Sequence, residues 1–210
     1  MEELSPLWLK PISPTRLANR SGHMDAFSYV SVLLSIIIGL AVTQVLTGVR
    51  GYMLTRARIH PFWPTQVWAG VLIAVSVQTW WAMFSLRGRS EWDFPSFAVL
   101  LLQTIVLYLR TSLVYPDFHE ERMTDLREHY FQQRHNFFTL MTIAPIVSIC
   151  RDLVLHHDLP HRVNLGFHLL FIAVGVSGLV VLREWYHRVL SVLFAIAYSA
   201  YVIWLFTRLE

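Results

Sequence analysis

FSYVSVLLSIIIGLAVTQVLTGV, residues 27–49, carries no charged side chain and a single amide, Gln44. A hydrocarbon layer of roughly 30 Å needs about 20 helical residues, so this stretch predicts a membrane-spanning helix. Five more apolar runs follow, at roughly 62–86, 94–115, 136–155, 163–182 and 187–207, and leave almost nothing between them to form a soluble domain. Arg151, Asp152 and His168 interrupt the fourth and fifth runs. The predicted fold is all-α, a polytopic transmembrane bundle of six spans formed by residues 24–210 as one domain. The whole chain agrees: 210 residues that are 55% hydrophobic and 15% charged are too apolar for an ordinary globular domain.

The first 23 residues, MEELSPLWLKPISPTRLANRSGH, hold three prolines and no continuous apolar core. They read as a disordered N-terminal extension, neither a cleaved signal peptide nor a span. Met24 is a natural start for a protein that opens directly on its first helix.

Six crossings return the chain to its starting side, here called side A; the opposite face is side B. Side B collects Arg50, Arg56, Arg58, Arg122, Arg127, Arg134, Arg183 and Arg188, with Arg110 close by. Side A has Arg87, Arg89, Arg162 and Arg208, with Arg151 near the boundary and Lys10, Arg16 and Arg20 in the extension. With the extension set aside, the positive-inside rule makes side B cytoplasmic. The net charge of +3 is therefore assigned to topology and lipid headgroups, with the bilayer and not nucleic acid as partner.

The longest connection, Pro116 to His135, places Phe118, Leu126, Tyr130 and Phe131 near helical spacing among charges. It predicts an amphipathic segment in the headgroup region, either a solvated connector or a surface for a cytoplasmic partner at 116–135. The segment also divides the chain into two sets of three spans. SLRGRSEWDF (85–94) and VLREWYHRV (181–189) occupy equivalent turns, a layout that admits a 3+3 inverted repeat.

Polar side chains at membrane depth are the candidate functional residues, because each is costly there unless paired or hydrated. Counting about 1.5 Å per residue, Arg151 and Asp152 lie roughly 5–6 Å inside side A and His168 roughly 7–8 Å. Gln78 and Gln103 come out roughly 12–14 Å from the same side, and Gln44 and Arg110 roughly 7–8 Å inside side B. The seven together describe a hydrated path with a closed middle. A purely architectural reading assigns them as interhelical glue, a snorkelling Arg110 and a local Arg151–Asp152 pair. Thr43, Ser76, Thr79 and Thr104 would line either arrangement. The HHDLP turn predicts that Asp152 is brought within reach of His168 or Arg162.

Ten histidines include the cluster HHDLPH (156–161). Imidazole and carboxylate can ligate zinc or iron, but the spacing matches no metal motif and reads as a loop cluster. Only His168 lies clearly within a span, short of the two that a bis-histidine haem needs, so no cofactor or metal is expected. Phosphate loops, nucleophile elbows, H-E-x-x-H and paired cysteines are absent from the sequence, and nothing points to an enzyme or to catalytic residues. Cys150, the lone cysteine, reads as a structural thiol. The tryptophans at 63, 68, 92, 185 and 204 mark an aromatic belt; Trp80 and Trp81 point in different directions, so one of them is a candidate to face a cavity.

MDAFSYVSVLLSIIIGLAVTQVLTGV (24–49), WPTQVWAG (63–70), VQTWWAMFSLR (77–87) and the Glu91-Trp92 turn resemble an uncharacterised family of bacterial multi-pass integral membrane proteins. The resemblance covers nearly the whole chain after Met24. It implies the six-span topology and a bacterial inner membrane setting, and it carries no activity with it. Two functions remain open at this point. The first is a small transporter or channel with a polar path past Asp152, His168, Gln78 and Gln103. The second is a membrane anchor, sensor or assembly subunit, in which Gly39, Gly48, Gly175 and Gly178 would pack helices within or between the subunits of a homo-oligomer.

Overall fold

The computed structural model describes residues 26–88, 92–118 and 124–206. The 1–23 extension, Arg89, Glu91, Arg122 and Arg208 fall outside these residues. Six helices are each long and apolar enough to cross a membrane, and the chain is an integral membrane protein with an all-α bundle. They are α1 (Ala26–Leu54), α2 (Trp63–Ala82, continued by a 3-10 turn over Met83–Leu86), α3 (Phe94–Ser112), α4 (Leu126–His156), α5 (Arg162–Val180) and α6 (Glu184–Phe206). Ile36, Leu40, Leu102, Leu193 and Ile196 stand on the outer surface, where only hydrocarbon makes their exposure favourable.

Local chemistry explains the helix ends. Pro64 sits in the first turn of α2, where its missing N–H is not needed. The Asp93 carboxylate accepts from the Ser96 N–H at 3.3 Å to cap α3, and that of Asp125 accepts from Arg127 and Glu128 at 2.8 and 3.2 Å to cap α4. His157 ends α4 in the left-handed conformation, φ 57°, with its N–H on the Leu153 carbonyl. The Nδ1 of His161 accepts from Val163 N–H at the start of α5. Two members of the HHDLPH cluster thus build a turn, and among the described residues no three histidine, cysteine or acidic groups converge on a metal position.

Two boundaries differ from the sequence expectation. The stretch before the fourth span is not separate from it: from Leu126 it is already α4, a single helix of 31 residues. Leu126 and Tyr130, one turn apart, both point into the bundle. The charges that lowered the hydropathy of this stretch are occupied elsewhere. The Nη1 of Arg134 donates to the carbonyls of Gly178 and Leu179 at 3.0 and 2.7 Å, closing the C-terminal end of α5 where the helix dipole favours a cation. Arg127 reaches Glu184, which also pairs with Arg188, both at 2.6 Å. The second difference lies between α5 and α6: the turn is Val181–Arg183, and Glu184–His187 is the first turn of α6.

Helix α3 lies between α1 and α4, α4 makes its most extensive interface with α5, and α2 packs on α6. The broad α1–α3 interface has no counterpart of similar extent between α4 and α6, so helix packing does not reproduce a 3+3 repeat. On side B the linkers meet. Strand β1 (Ile59–His60) pairs in parallel with β2 (Thr124–Asp125), in the register Ile59 to Thr124 and His60 to Asp125, and ties the α1–α2 connection to the start of α4.

Small residues set the closest helix approaches. A Cβ on Gly178 would overlap the Phe138 ring, one on Gly175 would overlap Thr142, and one on Gly48 would overlap Tyr115. Gly39 meets open space and packs nothing within the chain. Inside α4, Pro145 is buried and leaves the Met141 carbonyl without its helical donor. Cys150 is exposed on the outer face, not packed in the core as a structural thiol would be.

Even-numbered crossing makes a topological prediction. A reporter fused after Glu210 and one inserted beside Arg58 are expected to lie on opposite sides of the membrane. Equal signals from the two would mean that one helix does not cross.

Candidate functional site

Between α2, α3, α4, α5 and α6 lies a half-open inner chamber of about 100 Å³. Gln78, Thr79, Gln103, Arg110, Arg151, His168, Ser148, Tyr198 and Tyr201 give it a polar lining, and Val75, Leu107, Phe171 and Phe194 an apolar one. An outer vestibule of about 80 Å³ extends toward side A, lined by Ser85, Leu86, Thr104 and His156. Thr79, Gln103 and Arg151 line both and stand between them, at the position here called the throat.

Arg151 organises the throat. Its Nε and Nη2 donate to Asp152 Oδ1 at 3.0 and 2.7 Å, and its Nη1 donates to Gln103 Oε1 at 3.4 Å. Asp152 comes within electrostatic range of His168, as the turn predicts, but its hydrogen bonds come from its sequence neighbour Arg151. Equal depth did not decide these bonds, because the long Arg151 side chain folds onto the adjacent carboxylate before a partner on α5 can. The remaining amide of the predicted pair, Gln78, lines the chamber opposite Gln103 without bonding to it.

His168 faces Ser148 and its own helix. Its Nδ1 lies 2.7 Å from the Asn164 carbonyl and its Nε2 2.9 Å from Ser148 Oγ. A carbonyl only accepts, so Nδ1 carries the proton, and Nε2 of the neutral ring accepts from the serine hydroxyl. Tyr201 closes edge-on over the ring at 6.3 Å.

Arg110 lies where depth counting did not put it. Its Cα is near the side-B end of α3, yet the guanidinium is in the chamber, 7% exposed, with Nη1 3.7 Å from Met141 Sδ. The reason is geometric. Helical side chains lean toward the N-terminus of their helix, and on α3 that direction leads inward to the membrane centre, so this arginine does not snorkel out. Among the described residues its Nε has no hydrogen-bond partner and no carboxylate pairs with it. The Tyr198 hydroxyl, lining the same chamber, is buried and equally without a partner.

Gln44 is not part of this chamber. Its amide donates to the Tyr108 hydroxyl at 3.3 Å and lines a separate side-B cleft of about 240 Å³ with Thr47, Arg50 and Thr111. Beside Tyr52, burial pushes the Tyr115 phenol in that cleft up to about 12, so it stays a neutral donor. Of the four hydroxyls considered from sequence, Thr79 and Thr104 line cavities, while Ser76 and Thr43 bond to their own helix at Leu72 and Gly39. Trp80 and Trp81 both stand half-exposed, each against Phe84; neither faces the chamber.

The chamber is sealed toward side B by an aromatic plug. Trp68 packs on Phe137, Phe138 and Phe194 with ring centroids 5.1–5.8 Å apart. His187, fully buried, holds Tyr130 by Nδ1 at 3.1 Å and the Val181 carbonyl by Nε2 at 2.8 Å. Sequence reasoning missed His187, Ser148 and the α6 face of Phe194, Tyr198 and Tyr201. The spacing of that face, one turn and then another, was a helical stripe hidden inside an apolar run.

No family model matches the chain, and no curated protein or solved structure matches it.

Proposed function

We propose that this chain is a small transporter or channel, with a polar path entered from side A through the Arg151 throat. The observation that carries this reading is that vestibule and chamber adjoin, with Thr79, Gln103 and Arg151 in the lining of both. Polar side chains that served only as glue would all satisfy one another; here the Arg110 Nε and the Tyr198 hydroxyl border the space without doing so. In this reading the chain sits in a bacterial inner membrane with side B cytoplasmic, and the aromatic plug is the closed gate.

The alternative, an anchor, sensor or assembly subunit working through 116–135, is less well supported. Phe118 is spent on the close approach to Gly51, and Leu126 and Tyr130 on the core, which takes three of the four apolar side chains that the sequence offered there.

Stopped-flow light scattering of proteoliposomes tests the path with formate, acetate, nitrate, urea and glycerol. At least one solute is expected to cross faster than in protein-free vesicles, and Thr79→Phe, which puts a ring in the throat, is expected to bring the rate back to that baseline. Rates equal to empty vesicles for every solute, or rates indifferent to Thr79→Phe, would overturn the path.

A further inference from the structure

We infer that the inner chamber is a binding site for a small, planar, monovalent oxyanion of the carboxylate or nitrate type, held by the Arg110 guanidinium with the Tyr198 hydroxyl as second donor. In naming a solute class it rests on the path reading, and binding and movement are measured separately.

The charge inventory of the chamber leads to this conclusion. Arg151 is neutralised by Asp152 through two hydrogen bonds, and neutral His168 is satisfied on both ring nitrogens. Arg110 keeps its charge under any physiological condition, and it lies buried with no acid beside it among the described residues. A buried guanidinium without a counter-charge is among the most costly arrangements a membrane protein can hold. The local excess is one positive charge, which a monovalent anion balances.

The donor geometry narrows the class. Arg110 Nε and Tyr198 Oη are the chamber's two buried polar atoms without partners, and both are able to donate. A guanidinium edge matches two oxygens of a flat anion better than a sphere. A cavity of about 100 Å³ has room for an anion of a few heavy atoms. Phe171, Phe194 and Leu107 in the lining suit a methyl or short alkyl end, which favours short monocarboxylates within the class.

The test uses the full chain in lipid nanodiscs made only of zwitterionic lipid, at constant ionic strength held with sodium gluconate. Acetate, formate, nitrate and chloride are each exchanged for gluconate while thermal unfolding is followed. The planar anions are expected to raise the midpoint saturably, and chloride to act more weakly. Arg110→Met is expected to lose the response while unfolding no earlier than wild type in gluconate, since an apolar side chain of similar volume removes an uncompensated charge. Tyr198→Phe is expected to weaken the apparent affinity about tenfold, the usual scale for one hydrogen bond to a charged ligand. No saturable response in wild type, or an unchanged one in Arg110→Met, would overturn the site; chloride acting as strongly as acetate would overturn the oxyanion class. If Arg110→Met fails to insert, Tyr198→Phe decides, and an affinity equal to that of wild type overturns the assignment. Saturable binding without vesicle flux would leave this site standing and remove the path. Flux of neutral solutes with no anion response would do the reverse.

Discussion

Replacing Asp152 by asparagine is expected to destabilise the bundle by about 3 kcal/mol, the scale for breaking a buried ion pair by removing one partner. The side chains of Arg151 and Asp152 retain only 23% and 12% of their exposure, and the hydrogen bond from Arg151 to Gln103 does not balance a full charge. The low end of the scale applies because the vestibule wets one side of the pair. The double replacement Arg151→Met with Asp152→Leu is expected to come out near wild type, because it removes both the attraction and the cost of desolvating two ions. Unfolding of the three proteins in detergent micelles measures the difference. A loss of less than about 1 kcal/mol for Asp152→Asn, the range of solvent-exposed pairs, would show that the throat is open enough for water to replace the carboxylate.

Gly178→Ala is expected to cost about 2–3 kcal/mol, at the upper end for adding a methyl to a filled interior. The new Cβ would overlap Phe138, and that ring has nowhere to turn: Trp68, Tyr130 and His187 stand around it with centroids at 5.8, 6.4 and 5.4 Å. Relief would have to come from moving α5 off α4, along the most extensive interface of the bundle. Gly39→Ala makes the comparison sharp. Nothing lies within 4 Å of its added carbon, so the gain in helix propensity, up to about 1 kcal/mol, should appear as stabilisation. Equal shifts for the two variants would mean that the α4–α5 approach is looser than its geometry implies.

The six spans were legible because hydrocarbon demands length and apolarity, and both are linear properties of sequence. The helical spacing of Leu126, Tyr130 and Phe131 was legible too; that their turns run on into the fourth span was not. Arg127, Glu128 and Arg134 make Leu126–His135 read as surface, whereas Arg134 reaches the end of α5 and Arg127 pairs with Glu184, partners that no window on the sequence contains. Depth counting set Arg151 and His168 at one level and Gln78 and Gln103 at the next because rise per residue is fixed in a helix, and all four line the chamber. It failed for Arg110 because it follows Cα atoms, and a long side chain near a helix C-terminus travels back along its own axis. It brought Asp152 near His168 but did not give its hydrogen-bond partner, because equal depth says nothing about rotation around the helix. Tyr198 stayed hidden because a tyrosine in an apolar run reads as packing until its hydroxyl is seen to lack a partner.

Pro145 gives α4 an uneven stiffness. Its side-B arm is fastened by the β1–β2 pairing, the Asp125 cap and the grip of Arg134 on α5. The side-A arm carries Ser148, Arg151 and Asp152, and between the arms the rung from residue 145 to Met141 is missing. The helix is thus a lever with a clamped handle and its fulcrum in the chamber wall. Any flexing concentrates at that fulcrum and moves Ser148, Arg151 and Asp152 as a set, relative to an Arg110 that rides on α3 and stays behind.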